Sequence, residues 1–426
     1  MAPHRGVVRA RSGALLARSA TATGLSAALL IPVAACGGPD PSAGSMPSET
    51  PAPVSSAETA APRSTPRWSQ PPLTTRPMAP SAAAAIDAAV LDALASGGDG
   101  TPAAWLGVWS PDAGMHVAAY GEAAAQTPAT LGDHNYIGSL TKTATAVAVL
   151  RTVEGGFMTL GDTVAELDPQ LAQAFPEIAE ITVEHLLNMD SGLPDYANEP
   201  RGVIGLVARS PNTFFSSDDL IRVGLAANEI APVGTPGYST TNYIILGELI
   251  EAVSGVSPED AVTSVFADVG MTQSALLPPG EPRPEPASDG YLGMRGAAEV
   301  SSLGGPDLPG STDVTSWSLS WGRAGGGAYS TIEDLGIWGS SGLGNSLLSE
   351  SLGQARFTHT VSTPMAGDYG YGIMDYGDGW FGHSGQVIGW EAEVRTNPET
   401  GEVIAVMINS TSGLGDVLGA VLQALP

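Results

Sequence analysis

Residues 138–150 read GSLTKTATAVAVL and contain the only lysine of the chain, Lys142. Apolar side chains cover nearly the whole circumference of a helix over 139–154, which predicts a helix buried on all sides. Sixteen arginines carry the rest of the formal positive charge. Because arginine stays protonated in proteins and lysine can lose its proton, the single retained lysine points to proton chemistry at this position.

A serine lies three residues before this lysine. If Ser139 opens the helix, its side chain and that of Lys142 lie one turn apart on the same face. A neutral amine there can accept the hydroxyl proton and make Ser139 a nucleophile. Burial and the positive end of the helix dipole both favour the neutral amine. The alternative is a capping serine beside a solvated lysine, which fits poorly with a helix that is apolar nearly all round.

Two further motifs carry polar groups suited to the same chemistry. Tyr238 precedes an amphipathic helix that ends at Gly255, and a tyrosine hydroxyl beside a lysine amine can relay a proton to a leaving group. The alternative is a core aromatic followed by a capping Ser239 or Thr240. His383 lies between glycines on a predicted strand, where a substrate backbone can approach and the imidazole adds a donor that can carry charge. A purely structural histidine is the alternative.

The composition excludes several classes of protein. Lys plus Arg number 17 against 44 Asp plus Glu, a formal net charge of −27, so nucleic acid is a poor partner. A single cysteine excludes an intramolecular disulfide and a cysteine metal site. The six histidines show no metal-ligand spacing, so we expect no metal and no cofactor. The nucleophile motif G-x-S-x-G of α/β-hydrolases is absent.

The N-terminal segment has the features of an export signal, with arginines before an apolar run over about 20–35. The run ends in VAAC, which resembles a bacterial lipoprotein cleavage box, so we expect Cys36 to carry a lipid. An ordinary signal peptide followed by an incidental buried cysteine is the alternative. In 37–80, 32 of 44 residues are Pro, Ser, Thr, Ala or Gly, which predicts an unstructured linker. We therefore expect a signal peptide, 1–35, then the lipidated cysteine and linker, 36–80, tethering an exported domain to the outer face of the bacterial cell membrane.

The rest of the chain, 81–426, predicts one α+β domain. A helix and a two-stranded hairpin come first, a mainly helical stretch follows, and three strands and a closing helix end the chain. We expect an antiparallel sheet of about five strands, assembled from both ends of the domain and flanked by helices. The predicted parts are an α/β part, 81–135 and 321–426, and a helical part, 136–320, with the active site between them.

These motifs, in this order, resemble the superfamily of serine β-lactamases and penicillin-binding proteins. The similar branch contains class C β-lactamases, D-Ala-D-Ala carboxypeptidases and related esterases. The resemblance implies that Ser139 is the acyl-forming nucleophile, Lys142 its base partner, and Tyr238 the tyrosine of the family's Tyr-x-Asn element. It runs from about residue 82 to 412 and is carried by GSLTKTATAVAVL, ITVEHLLNMDSGLPDY, PGYSTTNYIILGELIE, GGGAYSTIEDL and YGDGWFGHSGQVIGW.

The same resemblance assigns the substrate and oxyanion groups. His383, Ser384 and Gly385 occupy the family's Lys-Thr-Gly position, where His-x-Gly also occurs. The oxyanion hole implied by the resemblance consists of the backbone N–H groups of Ser139 and Gln386.

One position departs from the family pattern, because Thr240 stands where Tyr-x-Asn has its asparagine. That asparagine donates to the amide of a β-lactam or peptide, and Asn242, two residues further on, would point differently. With His383 in place of lysine, this favours peptidase or esterase action over efficient β-lactam hydrolysis. We expect a D-alanyl-D-alanine carboxypeptidase-like serine hydrolase that acts on cell-wall peptides such as the peptidoglycan stem peptide. The alternatives are an esterase or weak β-lactamase, or a non-catalytic protein that binds penicillin or peptides.

Overall fold

The computed structural model describes residues 72–96, 100–411 and 413–426. The predicted signal segment, Cys36 and almost all of the predicted linker lie outside the described residues.

Helices make up most of the chain between the first hairpin and the last strands. Short 3₁₀-helices occur at Gly138–Leu140, Pro176–Ile178 and Asn345–Leu347. The α-helices are α1 Pro80–Ser96, α2 Thr141–Glu154, α3 Val164–Leu167, α4 Pro169–Ala174, α5 Val183–Leu187, α6 Val203–Arg209, α7 Ser217–Ala227, α8 Thr240–Ser254, α9 Pro258–Asp268, α10 Gly293–Ser302, α11 Arg323–Gly326, α12 Ile332–Ser340, α13 Glu350–Thr358 and α14 Leu414–Ala424.

The strands come mainly from the two ends of the described chain. They are β1 Ala103–Ser110, β2 Gly114–Ala124, β3 Thr127–Pro128, β4 Asn135–Tyr136, β5 Ala275–Leu276, β6 Ala328–Ser330, β7 Val361–Thr363, β8 Gly367–Gly370, β9 Ile373–Gly377, β10 Trp380–Val387, β11 Trp390–Asn397 and β12 Glu402–Ile408.

The main sheet is antiparallel and has the order β3-β2-β1-β12-β11-β10-β9-β8-β7 among the described residues. The first and last long strands pair directly, with Ala104 opposite Ile408, so both ends of the domain build one sheet as predicted. The α+β class is thereby confirmed. The count of about five strands was too low, because β3, β7, β8 and β9 are short and lack the apolar alternation that marks a strand in a sequence.

Strand β1 is buried over its whole length because both faces of the sheet are covered. Leu106 and Val108 join the cluster formed with α1 and α14, whereas Trp105 and Trp109 join the larger core on the opposite face. Burial of an aliphatic or aromatic side chain contributes about 1.5–3 kcal/mol to the free energy of folding, so this strand stabilises the packing on both faces of the sheet. The double coverage explains why AAWLGVWS is a continuous apolar run.

Helix α2 is the buried helix that the sequence predicts, and it packs against α8 and α9. It begins at Thr141 rather than at Ser139, because a 3₁₀ turn over Gly138–Leu140 precedes it. Lys142 therefore lies in the first turn of the α-helix, and the serine lies just before that helix.

The structure also contains strand pairing between the two predicted parts that the sequence analysis missed. Strands β4, β6 and β5 form a small sheet within the described residues, with two or three residues in each strand. Strands of this length are too short to show a period of two in the sequence. None of the helices in the described part of the chain has the length and apolar character needed to cross a membrane.

Candidate active site

Ser139 lies in the 3₁₀ turn between strand β4 and helix α2. Gly138 before it has a φ of +52°, a conformation that favours glycine. A Cβ at Gly138 would lie 2.4 Å from the backbone nitrogen of Gln386, so only glycine lets the turn approach strand β10 this closely. The turn therefore holds Ser139 against that strand.

Lys142 is completely buried and contacts the serine directly. Its Nζ donates to Ser139 Oγ at 2.9 Å and to the carbonyl oxygen of Gly325 at 2.7 Å. Burial lowers the pKa of Lys142 to about 7, although the negative charge of Asp195 opposes this shift. A substantial fraction of the amine is therefore neutral at neutral pH and can accept a proton.

Tyr238 lies on the loop before α8. Its side chain forms a hydrogen bond with Ser139, and its ring centroid lies 5.1 Å from Lys142 Nζ. Its ring packs edge-on against Tyr369, with centroids 5.9 Å apart. Burial raises the pKa of Tyr238 far above its usual value, so the phenol keeps its proton. The structure thus brings Ser139, Lys142 and Tyr238 into mutual contact.

His383 is completely buried and does not line the cleft in front of Ser139. Its Nε2 lies 3.2 Å from Tyr369 Oη, and its Nδ1 contacts the carbonyl oxygen of Ser384. Burial and the nearby Lys142 lower the pKa of His383 to about 3, so the imidazole is neutral. The prediction that the His383 imidazole offers a charge-carrying donor to the substrate was wrong, because its ring packs against Tyr238 and Tyr369.

The residues after His383 form the wall of the cleft. Ser384, Gly385 and Gln386 all line it. A Cβ at Gly385 would lie 1.9 Å from the carbonyl oxygen of Ile137 and 2.8 Å from the backbone nitrogen of Ser139. Glycine is therefore required for the close approach of the strand, which brings the backbone nitrogens of Ser139 and Gln386 to the same junction.

Thr240 lines the cleft, but it offers no amide group. Its backbone N–H donates to Asp195 Oδ1 at 3.2 Å, and its methyl group lies 2.6 Å from where a Cβ of Gly325 would be. Asn242 points elsewhere, since it donates to the carbonyl oxygen of Leu186 and accepts from Ser191. Neither side chain therefore supplies the amide donor of the family pattern.

Several residues of the site were missed in the sequence analysis. Asp195 is buried, accepts from Ala197 N–H at 2.9 Å and raises the pKa of Lys142. It lies in the block ITVEHLLNMDSGLPDY, whose resemblance to the family could have marked Asp195 as a site residue. Trp321 and Glu299 also line the cleft, and neither lies in a recognisable motif.

The cleft in front of Ser139 has a volume of about 440 Å³. Its walls combine polar and apolar side chains from the sheet and from the helical part, including α10. The residues that line it include Ser139, Tyr238, Thr240, Ile204, Arg295, Glu299, Val300, Ser384, Gln386, Ile388 and Glu391. The described residues contain no group of three or more His, Cys, Asp or Glu side chains placed to hold a metal ion.

Comparison with known proteins shows the family to which the chain belongs. Residues 49–424 match the protein family described as Beta-lactamase. The chain belongs to the beta-lactamase family. Among solved structures, a D-stereospecific amidohydrolase from Streptomyces sp. superposes with a TM-score of 0.66 at 25% identity, covering 80% of this chain and 98% of that one. D-amino acid amidase from Ochrobactrum anthropi SV3, complexed with L-phenylalanine amide, has a TM-score of 0.69 at 22% identity, covering 81% and 98%, which shows the shared fold.

Two curated relatives of this beta-lactamase-family chain are penicillin-binding proteins. Penicillin-binding protein 4 of Amycolatopsis lactamdurans is 31% identical over 144 residues, which is 33% of this chain and 35% of the relative. Penicillin-binding protein 4* of Bacillus subtilis is 27% identical over 174 residues, 38% of this chain and 34% of the relative. The matches thus span about a third of each relative. The family model and the solved neighbours place the chain in the beta-lactamase family and its fold.

Proposed function

We propose that the chain is a serine hydrolase that forms an acyl-enzyme on Ser139 and acts as a D-alanyl-D-alanine carboxypeptidase on cell-wall peptides. The observation that carries this proposal is the completely buried Lys142, whose amine bonds directly to Ser139 Oγ at 2.9 Å. A buried amine with a pKa of about 7 is placed and poised to accept the hydroxyl proton.

Acylation follows from the contacts of the three side chains. Neutral Lys142 takes the proton of Ser139 as Oγ attacks the scissile carbonyl carbon, and the backbone N–H groups of Ser139 and Gln386 stabilise the negative oxygen. The proton on Lys142 passes through the Tyr238 hydroxyl to the leaving nitrogen as the C–N bond breaks. Because Tyr238 keeps its own proton, it acts as a relay and not as the base.

Deacylation uses the same groups in reverse. A water molecule attacks the ester on Ser139 and gives its proton to the neutral amine of Lys142. The ester C–O bond then breaks, and the proton returns to Ser139 Oγ. The products are a free carboxylic acid and the regenerated enzyme, so no proton is gained or lost by the protein over the cycle.

The preference for peptides with D-residues rests on similarity. The curated relatives are penicillin-binding proteins, and the solved neighbours include a D-stereospecific amidohydrolase and a D-amino acid amidase. The test is hydrolysis of Nα-acetyl-lysyl-D-alanyl-D-alanine, with the L-alanyl-L-alanine peptide as control. Release of D-alanine from the first peptide alone supports the proposal. Equal hydrolysis of both peptides, or of neither, contradicts it.

A D-amino acid amidase is the second candidate, and Thr240 favours it. An amidase substrate with a free α-amine has no acylamino group, so it does not need the amide donor that Thr240 and Asn242 fail to provide. Faster hydrolysis of D-alanine amide than of the acetylated peptide supports this candidate.

An esterase or weak β-lactamase activity would appear as turnover of a nitrophenyl ester or nitrocefin without peptide hydrolysis. A non-catalytic binding protein would be labelled by a fluorescent penicillin without turnover.

We further propose that the protein is exported and held at the outer face of the cell membrane by a lipid on Cys36. The support is the VAAC box and the linker composition of 37–80. Replacement of Cys36 by Ser should release the domain from membranes while its activity on soluble substrates persists. Retention of the variant in salt-washed membranes would contradict the anchor.

A further inference from the structure

One buried carboxylate lies close to the reaction site but takes no part in the proton transfers described above. Asp195 is only 4% exposed. Its Oδ1 accepts from the backbone N–H groups of Ala197 at 2.9 Å and Thr240 at 3.2 Å, and its Oδ2 accepts from Asn198 Nδ2 at 2.5 Å. No cationic side chain bonds to Asp195 in the part of the chain that the structure describes. Three neutral donors therefore hold an ionised carboxylate in the interior.

The same carboxylate holds the first turn of helix α8. Ser239 occupies the N-cap position of α8, but its side chain makes no capping bond and donates instead to the carbonyl oxygen of Pro194 at 3.0 Å. Asp195 accepts from the first N–H group of the helix, that of Thr240, in its place. Tyr238 directly precedes this turn, so these bonds fix the backbone on which the tyrosine lies.

A short chain of contacts leads from Asp195 to the amine of Lys142. Thr240 packs its methyl group against Gly325, where a Cβ would lie 2.6 Å from the methyl carbon. The carbonyl oxygen of Gly325 accepts from Lys142 Nζ at 2.7 Å. The charge of Asp195 acts over this short path and raises the pKa of Lys142, against the larger and opposite effect of burial.

The other ionisable side chains around the amine are neutral. The ring centroids of Tyr238 and Tyr243 lie 5.1 and 5.7 Å from Lys142 Nζ. Burial raises the pKa of both tyrosines far above the neutral range, so they keep their protons. His383 has a pKa of about 3 and is also uncharged at neutral pH.

The remaining groups near Asp195 and Lys142 do not change their charge in the neutral range. Tyr196 stays protonated because burial raises its pKa, and Arg323, which acts on this tyrosine, stays charged. Arg356 on α13 donates to the carbonyl oxygen of Thr143, and its pKa of about 10 keeps it charged. The titration of Lys142 can therefore be followed against a constant background.

We propose that Asp195 is a positioning residue of this site. Its carboxylate holds the start of α8 beside Tyr238 and stabilises the ammonium form of Lys142, the form that the amine takes during acylation. The inference rests on the proposed acyl-enzyme chemistry at Ser139 and does not depend on the D-alanyl-D-alanine preference.

The test makes use of the single lysine of the chain. Labelling of lysine with ¹³C at Cε gives one resonance, and its chemical shift reports the protonation of Lys142 directly. Wild type, Asp195→Asn and Asp133→Asn are titrated between pH 5 and pH 9. Asparagine keeps an oxygen that can accept from the two backbone N–H groups, and it removes the charge. Asp133 is the matched control, because it is also 4% exposed and accepts from a backbone N–H group, that of Thr130, but does not line the cleft.

Lys142 should titrate near pH 7 in wild type and about half a pH unit or more lower in Asp195→Asn, because loss of the negative charge disfavours the ammonium form. In Asp133→Asn the pKa should stay within about 0.2 of wild type. An unchanged pKa of Lys142 in a folded Asp195→Asn protein, or an equal change in Asp133→Asn, overturns the inference. If circular dichroism shows that Asp195→Asn is unfolded, Asp195→Ser removes the same charge and keeps an acceptor suited to a helix start, and the same outcomes decide.

The rate of Ser139 labelling by a fluorophosphonate probe over the same pH range separates this result from the proposed chemistry. Its midpoint should follow the pKa of Lys142, so at pH 6 Asp195→Asn should keep a share of its plateau rate about twofold or more larger than that of wild type. A lower plateau rate without a shift of the midpoint would leave Asp195 a purely structural residue and overturns the inference. A shifted pKa of Lys142 that the labelling rate does not follow would contradict the proposed base at Ser139 and leave the effect of Asp195 on Lys142 standing.

Discussion

The side-chain amine of Lys142 donates to Ser139 Oγ over 2.9 Å while it is completely excluded from solvent. A charged ammonium at this position would have two oxygen acceptors, Ser139 Oγ and the Gly325 carbonyl oxygen, and no carboxylate among its hydrogen bonds to described residues. Removing an ammonium from water at such a site costs free energy, which is the reason for its lowered pKa. The burial that prepares Lys142 for catalysis therefore also lowers the free energy of unfolding.

This cost predicts a pH-dependent stability. The pKa of Lys142 is about 7 in the folded protein and 10.5 when exposed, so the unfolded chain binds more protons between these values and stability rises with pH there. Lys142→Met removes this effect. The variant should exceed wild type in free energy of unfolding, and the excess should be about 2.7 kcal/mol larger at pH 6 than at pH 9. Urea denaturation at the two pH values measures it, and a difference independent of pH would contradict the lowered pKa.

The same pKa predicts the acid side of the activity profile. As pH falls through about 7, Lys142 gains a proton and can no longer accept one, so kcat/KM should decline with a midpoint near 7. His383 has a pKa of about 3 and is already neutral in this range. In a His383→Gln variant the midpoint should stay within about half a unit of wild type. A midpoint that disappears or moves by a full unit in this variant would assign the profile to the histidine.

Tyr238→Phe should separate substrates by their leaving groups. The phenol relays a proton to a leaving nitrogen, whereas a nitrophenolate departs without one. Amide hydrolysis should fall about 10²–10⁴-fold, while acylation by a nitrophenyl ester falls much less. Tyr120→Phe, on the opposite side of the sheet, is the control for removal of a tyrosine hydroxyl. Equal losses for amide and ester would show that Tyr238 acts by packing alone.

Gly385→Ala should abolish activity by displacing strand β10. The new Cβ would lie 1.9 Å from the Ile137 carbonyl oxygen, so the strand must move away from Ser139 and the two backbone N–H groups lose their arrangement. We expect a loss of about 10²-fold or more in kcat for a folded variant. Gly419→Ala on helix α14 adds the same methyl group where no atom lies within 4 Å, and it should retain activity. Circular dichroism establishes that both variants are folded.

Much of the fold could be predicted because its signals are local. Helix α2 is apolar on all sides, the first hairpin has a Pro-Asp-Ala turn, and Gly255 ends α8 in a left-handed conformation. The short strands of the sheet edge could not be predicted, because their pairing depends on neighbours far away in the chain. The 3₁₀ turn at Ser139 was missed for a similar reason, since it forms where Gly138 meets strand β10.

In the candidate site, too, residues marked by a local pattern could be predicted, and those placed by distant contacts could not. Ser139 and Lys142 could be proposed from their spacing, because residues three apart at a helix start face each other. The direction of His383 could not, since Tyr369 and Tyr238 determine it by packing against its ring. Asp195 and Glu299 come to the site from parts of the chain far from Ser139, so no local pattern marks them.

The central claim is that Lys142 accepts the proton of Ser139, and the most direct measurement is the rate of Ser139 labelling by a fluorophosphonate probe in Lys142→Arg. Arginine keeps the charge and the donors, but its pKa stays above about 12, so it cannot serve as a base. Lys142→Met provides a second variant without charge, and circular dichroism checks that each is folded. The account predicts that labelling slows about 10²-fold or more in both variants. A folded Lys142→Arg protein that is labelled within about threefold of the wild-type rate would contradict the general-base role.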